Sequence, residues 1–251
     1  MIATLRLAGL HSRYNFLETV RVPIAVIGAL VFPALAFLFF VVPQRAIAED
    51  SVFATQAVIQ MMVFALMANG LFGFGLGVAQ ARETPWEPYL RTLPASGTAR
   101  LLALVISNGT IGLAALIPVL VLGATLTEAR TDAMGLVLGA LAFLGSSLPF
   151  LFMGFAIGYA MSMKVAIAAT QIAMFGLAFG GGLFLPPMLF ADWLDTLSRF
   201  LPTRQAREAV IVAVQGGEFP WWAWGGIAVW TLVLCVLALA LYRRDEGRRY
   251  R

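Results

Sequence analysis

The chain has 251 residues, 61% of them hydrophobic and 12% charged, with a formal net charge of +4 and a mean hydropathy of +0.87. Soluble domains hold about 45–50% apolar and about 25% charged residues, so lipid rather than water is the main solvent for this sequence. A single cysteine, Cys235, and a single histidine, His11, exclude a disulfide framework and Cys/His ligation of a metal or haem within one chain.

Residues 1–21 predict an amphipathic helix at the membrane surface, with Leu5, Leu10, Tyr14, Phe16 and Leu17 on a broad face and Arg6 and Arg13 on another. Pro23 ends it, because proline disfavours helix in the residue before it. Six apolar segments follow: Val22–Val42, Phe53–Ala81, Leu101–Leu126, Ala133–Met163, Val165–Leu185 and Trp221–Tyr242. None contains Lys, Arg, Asp or Glu, and each reaches the roughly 20 residues a helix needs to cross a bilayer. Ala46-Ile47-Ala48 looks like a secretory cleavage site, but the preceding apolar run is longer than the usual core of about 7–15 residues. It is read as a true span. Continuous runs of this length argue against a barrel of short alternating strands. The expected fold is therefore all-α: a single polytopic transmembrane domain, residues 1–251, with six transmembrane helices.

Two connections are long, 82–100 and 186–220, and function concentrates on such segments. With the N-terminus inside, the cytoplasmic pieces hold twelve Lys and Arg residues and the outer pieces five. That bias predicts a cell-membrane protein with both termini and residues 82–100 cytoplasmic and residues 186–220 external. The tail, residues 243–251, carries five arginines and reads as a basic anchor on an anionic leaflet.

Absences narrow the chemistry. No span holds an ionisable residue, which weakens ion-coupled transport. Ser146 and Ser147 lie in the fourth span, but no base shares the spans with them, which argues against intramembrane hydrolysis. The only lysine, Lys164, follows Met163 and precedes Val165, so the phosphate-binding Gly-x-x-x-x-Gly-Lys-Ser/Thr loop is missing.

The inner loop has acidic residues Glu83 and Glu87, apolar Tyr89, Leu90 and Leu93, and a stop at Pro94. This pattern fits either a plain amphipathic connector or a docking helix for a cytoplasmic partner. In the outer loop, Pro186-Pro187 precedes Leu189, Trp193, Leu197 and Leu201 at helical spacing. Asp195 and Arg199 stand four apart and predict an ion pair. A second helical stretch opens at Pro202 and stops at Gly216-Gly217.

With these elements in this order, the chain resembles the permease subunits of ABC-2 type transporters over essentially its whole length. Pro85 stands about where that family often has glycine, Pro88 is unusual, and Arg204 replaces a frequent aromatic residue. The resemblance implies an N-terminal elbow helix at 1–21 and short external re-entrant helices within 186–220. It makes 82–100 the coupling-helix loop, with Glu83, Glu87, Tyr89, Leu90, Leu93 and Pro94 contacting the ATPase. It implies a second permease chain, identical or paralogous, and two cytoplasmic ATPase subunits. ATP and Mg would be held by those subunits, with no cofactor in this chain; the surroundings are membrane lipid, with no nucleic acid. Spans two and five border the substrate path in that family, which makes Gln60, Met61, Phe64, Met67, Gln171, Met174 and Phe175 candidates to line it. Gly73 and Gly77 form a small-xxx-small face, either for ordinary helix packing or for pairing of the two permeases. The function expected is therefore the permease of an ATP-driven exporter. The alternatives are a carrier or channel that needs no ATPase, and a membrane scaffold.

Overall fold

The computed structural model describes residues 9–17, 21, 23–84 and 97–248. The described residues are helical with no strand. In chain order they form α1 (residues 9–17), α2 (Pro23–Phe40), α3 (Ser51–Glu83), α4 (Gly97–Ala114), α5 (Leu116–Leu126), α6 (Ala133–Ala160), α7 (Met163–Gly180), α8 (Asp192–Ser198), α9 (Pro202–Gln215) and α10 (Trp221–Arg248). Single turns at Arg45–Ala48 and Pro187–Leu189 complete the list.

Five helical stretches are long and apolar enough to cross a membrane: Ser51–Glu83, Leu102–Leu126, Ala133–Ala160, Met163–Gly180 and Trp221–Asp245. They occupy the places of expected spans two to six. α2 is a further apolar helix at the place of the first. In α1, Leu10 and Tyr14 are exposed.

Local chemistry explains most boundaries. Asp50 caps α3 by accepting from the amides of Val52 and Phe53, at 2.8 and 3.0 Å, and Asp132 caps α6 through Gly135 N at 2.7 Å. The third expected span divides at Ala115 into α4 and α5. Pro118 lacks an amide hydrogen and its ring crowds the carbonyl of Ala114, which interrupts the helical ladder there. α7 ends at Gly180 rather than at the expected Leu185, and Gly182 turns the chain at φ +76°. α10 continues past the expected Tyr242 to Arg248, so the first arginines of the basic tail are helical.

α3 is the central element: 56% of its apolar window is buried, against 17–33% for the other four. Its middle, Asn69–Leu76, is a π-helix and not the regular α-helix expected of the second span. This segment packs closely against α6. A Cβ added to Gly70 would stand 2.7 Å from Phe150 Cβ, one on Gly75 3.3 Å from Gly154 O, and one on Gly158 2.6 Å from Gly75 O. The two backbones thus touch through glycines, as in close membrane-helix contacts. Two asparagines hold the wide turn: Asn108 Nδ2 donates to Gly73 O at 2.9 Å, and Asn69 Nδ2 donates to Asn108 O at 3.2 Å. Around this contact Phe64, Met67, Leu71, Phe150 and Leu183 form a buried apolar core. α9 drops into the bundle between α3, α6 and α10 and contributes Ala206, Val210 and Ile211 to that core.

Candidate functional site

Polar side chains inside an apolar bundle are costly and mark candidate function. Besides the Asn69–Asn108 pair at the π segment, the buried and half-buried charged side chains among the described residues gather in two groups, towards opposite ends of α3.

The first group sits where α3 enters the 82–100 loop. Arg82 donates through Nε and Nη2 to Asp245 Oδ1 of α10, at 3.0 and 2.7 Å. Its Nη1 donates to the carbonyls of Gly158 and Met161 at 2.8 and 3.0 Å. These carbonyls close α6, where the helix leaves acceptors without intrahelical partners and presents its negative dipole end. Glu83 Oε1 accepts from Met163 N at 2.8 Å, at the start of α7, where orphan donors and the positive dipole end favour a carboxylate. Successive residues of opposite charge therefore serve opposite helix ends across one tight turn.

The second group belongs to α8 and α9. Arg199 pairs with Asp195 at 2.7 Å, as the four-residue spacing predicts. Arg204 reaches Asp195 at 3.3 Å and Glu208 at 3.1 Å, and Arg207 also pairs with Glu208. Arg207 points into α3: the Gln60 amide oxygen, turned towards it, accepts from its Nη2 and Nε at 2.8 Å each. Gln56 Oε1 takes a third contact at 3.3 Å. Burial pushes both guanidiniums below their ordinary pKa, and Glu208 opposes that shift. Thr203 Oγ1 donates to Leu177 O at 2.8 Å, and Trp230 Nε1 donates to Phe200 O at 2.8 Å. The 186–220 segment is thereby fastened to three spans. The apolar residues expected to share a face there, Leu189, Trp193 and Leu197, are exposed.

Removing Glu208 leaves Arg204 and Arg207 partly unpaired in a buried setting. Glu208→Ala is expected to destabilise the protein by about 3–5 kcal/mol, whereas Gln60→Leu, which only removes acceptors, should cost about 1–3 kcal/mol. Thermal unfolding of the two detergent-purified variants checks the order. Equal small shifts would mean that the cluster is hydrated.

The candidate path residues separate into two sets. Gln60, Met61, Phe64 and Met67 are buried within the chain, with the Phe64 ring tilted against those of Phe184 at 4.9 Å and Phe32 at 5.8 Å. Gln60 is engaged by Arg207, and none of the four lines an open surface in this arrangement. Met174 packs into the same core as Phe64 and Met67. Gln171 and Phe175, one turn apart on α7, are exposed. Gly73 and Gly77 face Asn108 of α4 in the same chain; added Cβ atoms would approach it to 3.7 Å. The tightest glycine contacts between α3 and α6 belong instead to Gly70, Gly75, Gly154 and Gly158. An apolar groove of about 650 Å³ at the other end of α6 is lined by Met134, Leu138, Leu141, Val212, Phe219 and Trp224, among others, and by none of the candidate path residues. Glu87, Tyr89, Leu90, Leu93 and Pro94 lie outside the described residues.

Sequence reading missed Asp245 and Arg207. The signals were faint: one of two adjacent acids among tail arginines, and one of two arginines in the polar first half of α9.

Comparison with known proteins extends the picture. Residues 9–214 match the family described as ABC-2 type transporter. A Bacillus subtilis (strain 168) protein named "Putative transport permease YvfS" is 22% identical over 223 residues, covering 88% of this chain and 91% of that protein.

Proposed function

The chain belongs to the ABC-2 type transporter family, and from that premise we propose that it is the permease subunit of an ATP-driven exporter. Two such chains pair and dock two cytoplasmic ATPase subunits, which bind ATP and Mg. α2 serves as the sixth span, α1 as the elbow, and α8 and α9 as the external re-entrant helices. ATP binding closes the ATPases and displaces residues 82–100, and that displacement changes the access of a path between the two permeases. The exposed pair Gln171 and Phe175 on α7 faces that path.

The observation that supports this reading best is the family match across most of the chain, because these 251 residues hold no phosphate-binding loop of their own. Purifying the tagged permease from its native membrane tests it. A P-loop ATPase should accompany the permease and hydrolyse ATP in the complex. A carrier or channel that works alone would purify without one.

Orientation has its own test. In a Cys235→Ser background, a cysteine at position 192 should react with a membrane-impermeant thiol reagent added from outside, and one at position 87 should not. The twelve-to-five basic bias predicts this pattern; the reverse labelling would invert the topology.

A further inference from the structure

α3 delivers Arg82 and Glu83 directly into the segment assigned to ATPase docking, and each side chain turns to a neighbouring helix end: Arg82 half-buried, Glu83 exposed. Arg82 binds the carbonyls of Gly158, in the last turn of α6, and of Met161, which caps it, together with the Asp245 carboxylate of α10; Glu83 binds the first amide of α7. Two adjacent residues thus grip three spans that are otherwise remote in sequence from the loop. Asp245 is 7% exposed at its side chain and Arg82 21%, so water competes little for the pair. Arg82 bonds to both Asp245 of α10 and the C-terminal end of α6, which makes the guanidinium a fork between two helices.

We propose that Arg82, oriented by Asp245, and Glu83 form the joint that passes displacement of the 82–100 loop to α6, α7 and α10 as one body. Arg82 and Asp245 are positioning residues for coupling: they touch neither ATP nor substrate. This inference rests on the reading that the loop docks an ATPase. The α6 carbonyls and α7 amide are the natural points of attachment, because each is an end group with no partner inside its own helix. Without Asp245 the guanidinium would lose its second anchor, and loop motion would be absorbed by rotation of the Arg82 side chain. The spans would then no longer follow.

The test uses the complex purified with its ATPase, carrying Cys235→Ser and a single cysteine at position 192 labelled with an environment-sensitive fluorophore. The probe is ATP with orthovanadate, which requires no knowledge of the substrate. In the otherwise unaltered complex, emission at position 192 should change on addition of the nucleotide. Asp245→Asn should reduce that response by at least about fivefold, the lower range of coupling between distant sites, with the ATPase still bound and still hydrolysing. Asp245→Glu keeps the carboxylate and should recover more than half of the response. A merely structural pair would lower thermal stability and leave the fluorescence response intact.

A full response in Asp245→Asn overturns the joint, and so does an equal loss in Asp245→Glu. If Asp245→Asn is not monodisperse, Arg82→Lys takes its place. It keeps the charge beside Asp245 but gives up the fork to Gly158 and Met161, and should show the same loss; a full response there overturns the proposal. If the unsubstituted complex itself gives no nucleotide response, the ATPase-coupling reading falls, and the joint falls with it.

Discussion

Leu90→Ala combined with Leu93→Ala is expected to abolish transport while leaving the permease folded. The two leucines stand three apart in a stretch with helical spacing, between acidic Glu87 and the stop at Pro94. Docking surfaces draw most of their energy from a few buried apolar anchors, with charges at the rim. Each anchor of that kind contributes about 2 kcal/mol or more, so losing both should weaken docking by roughly three orders of magnitude. The ATPase subunits should then dissociate, or hydrolyse ATP without transport. Glu83→Ala and Glu87→Ala separate two roles. Glu87 should matter little as a rim charge. Glu83 should matter more, because its carboxylate also accepts from Met163 N. Transport and ATPase assays on the purified complex, with monodispersity as the folding control, decide the matter. Normal transport by the double variant with ATPases bound would make this loop a connector and nothing more.

The second large effect is expected at Gly154. A Cβ there would collide with the carbonyl oxygen of Gly70 and stand 3.1 Å from Gly70 C and Gly75 N. Those atoms are backbone of the π segment, which Asn69 and Asn108 hold in place. They have no rotamer through which to yield. Overpacking in a dense core costs about 1–3 kcal/mol and occasionally more, and Gly154→Ala should fall at or above the top of that range. Gly154→Leu should fail to give a monodisperse protein. Gly176 supplies the control: nothing lies within 4 Å of an added Cβ, so Gly176→Ala should shift stability by no more than about 0.5 kcal/mol. Thermal unfolding of both variants in one detergent makes the comparison. Equal midpoints would show that α3 and α6 do not meet through glycine.

The same contact bears on how span two moves. Short π segments occur frequently at functional sites, and this one lies between the Arg82 joint and the Gln60–Arg207 contact on a single helix. A rotation applied at Arg82 must cross Asn69–Leu76 before it reaches Gln60.

What the sequence determined by itself follows from free energies that act locally. Apolar runs uninterrupted by charge specify helices in lipid, because hydrocarbon offers backbone groups no other partner. Prolines, glycines and capping acids set many of the ends, as Asp50, Asp132, Pro202 and Gly216 show. The Asp195–Arg199 pair was legible because both partners lie on one helical turn. The order of these elements was enough to indicate the family.

The tertiary structure alone decided which faces meet. A span that is apolar all round carries no stripe to mark its inner side, so the burial of Phe64 and Met67 and the exposure of Phe175 could not be read from spacing. The π segment packs against Gly154 and Gly158, which lie about eighty residues further along the chain and whose missing side chains matter only when α6 arrives. Gln60 becomes a partner for a charge only because α9 folds back into the bundle and presents Arg207. Arg82 and Asp245 are 163 residues apart. In sequence each is one more charge at the edge of a span. Burial at a shared helix junction makes them partners, because a carboxylate and a guanidinium that meet away from water stabilise each other's charge.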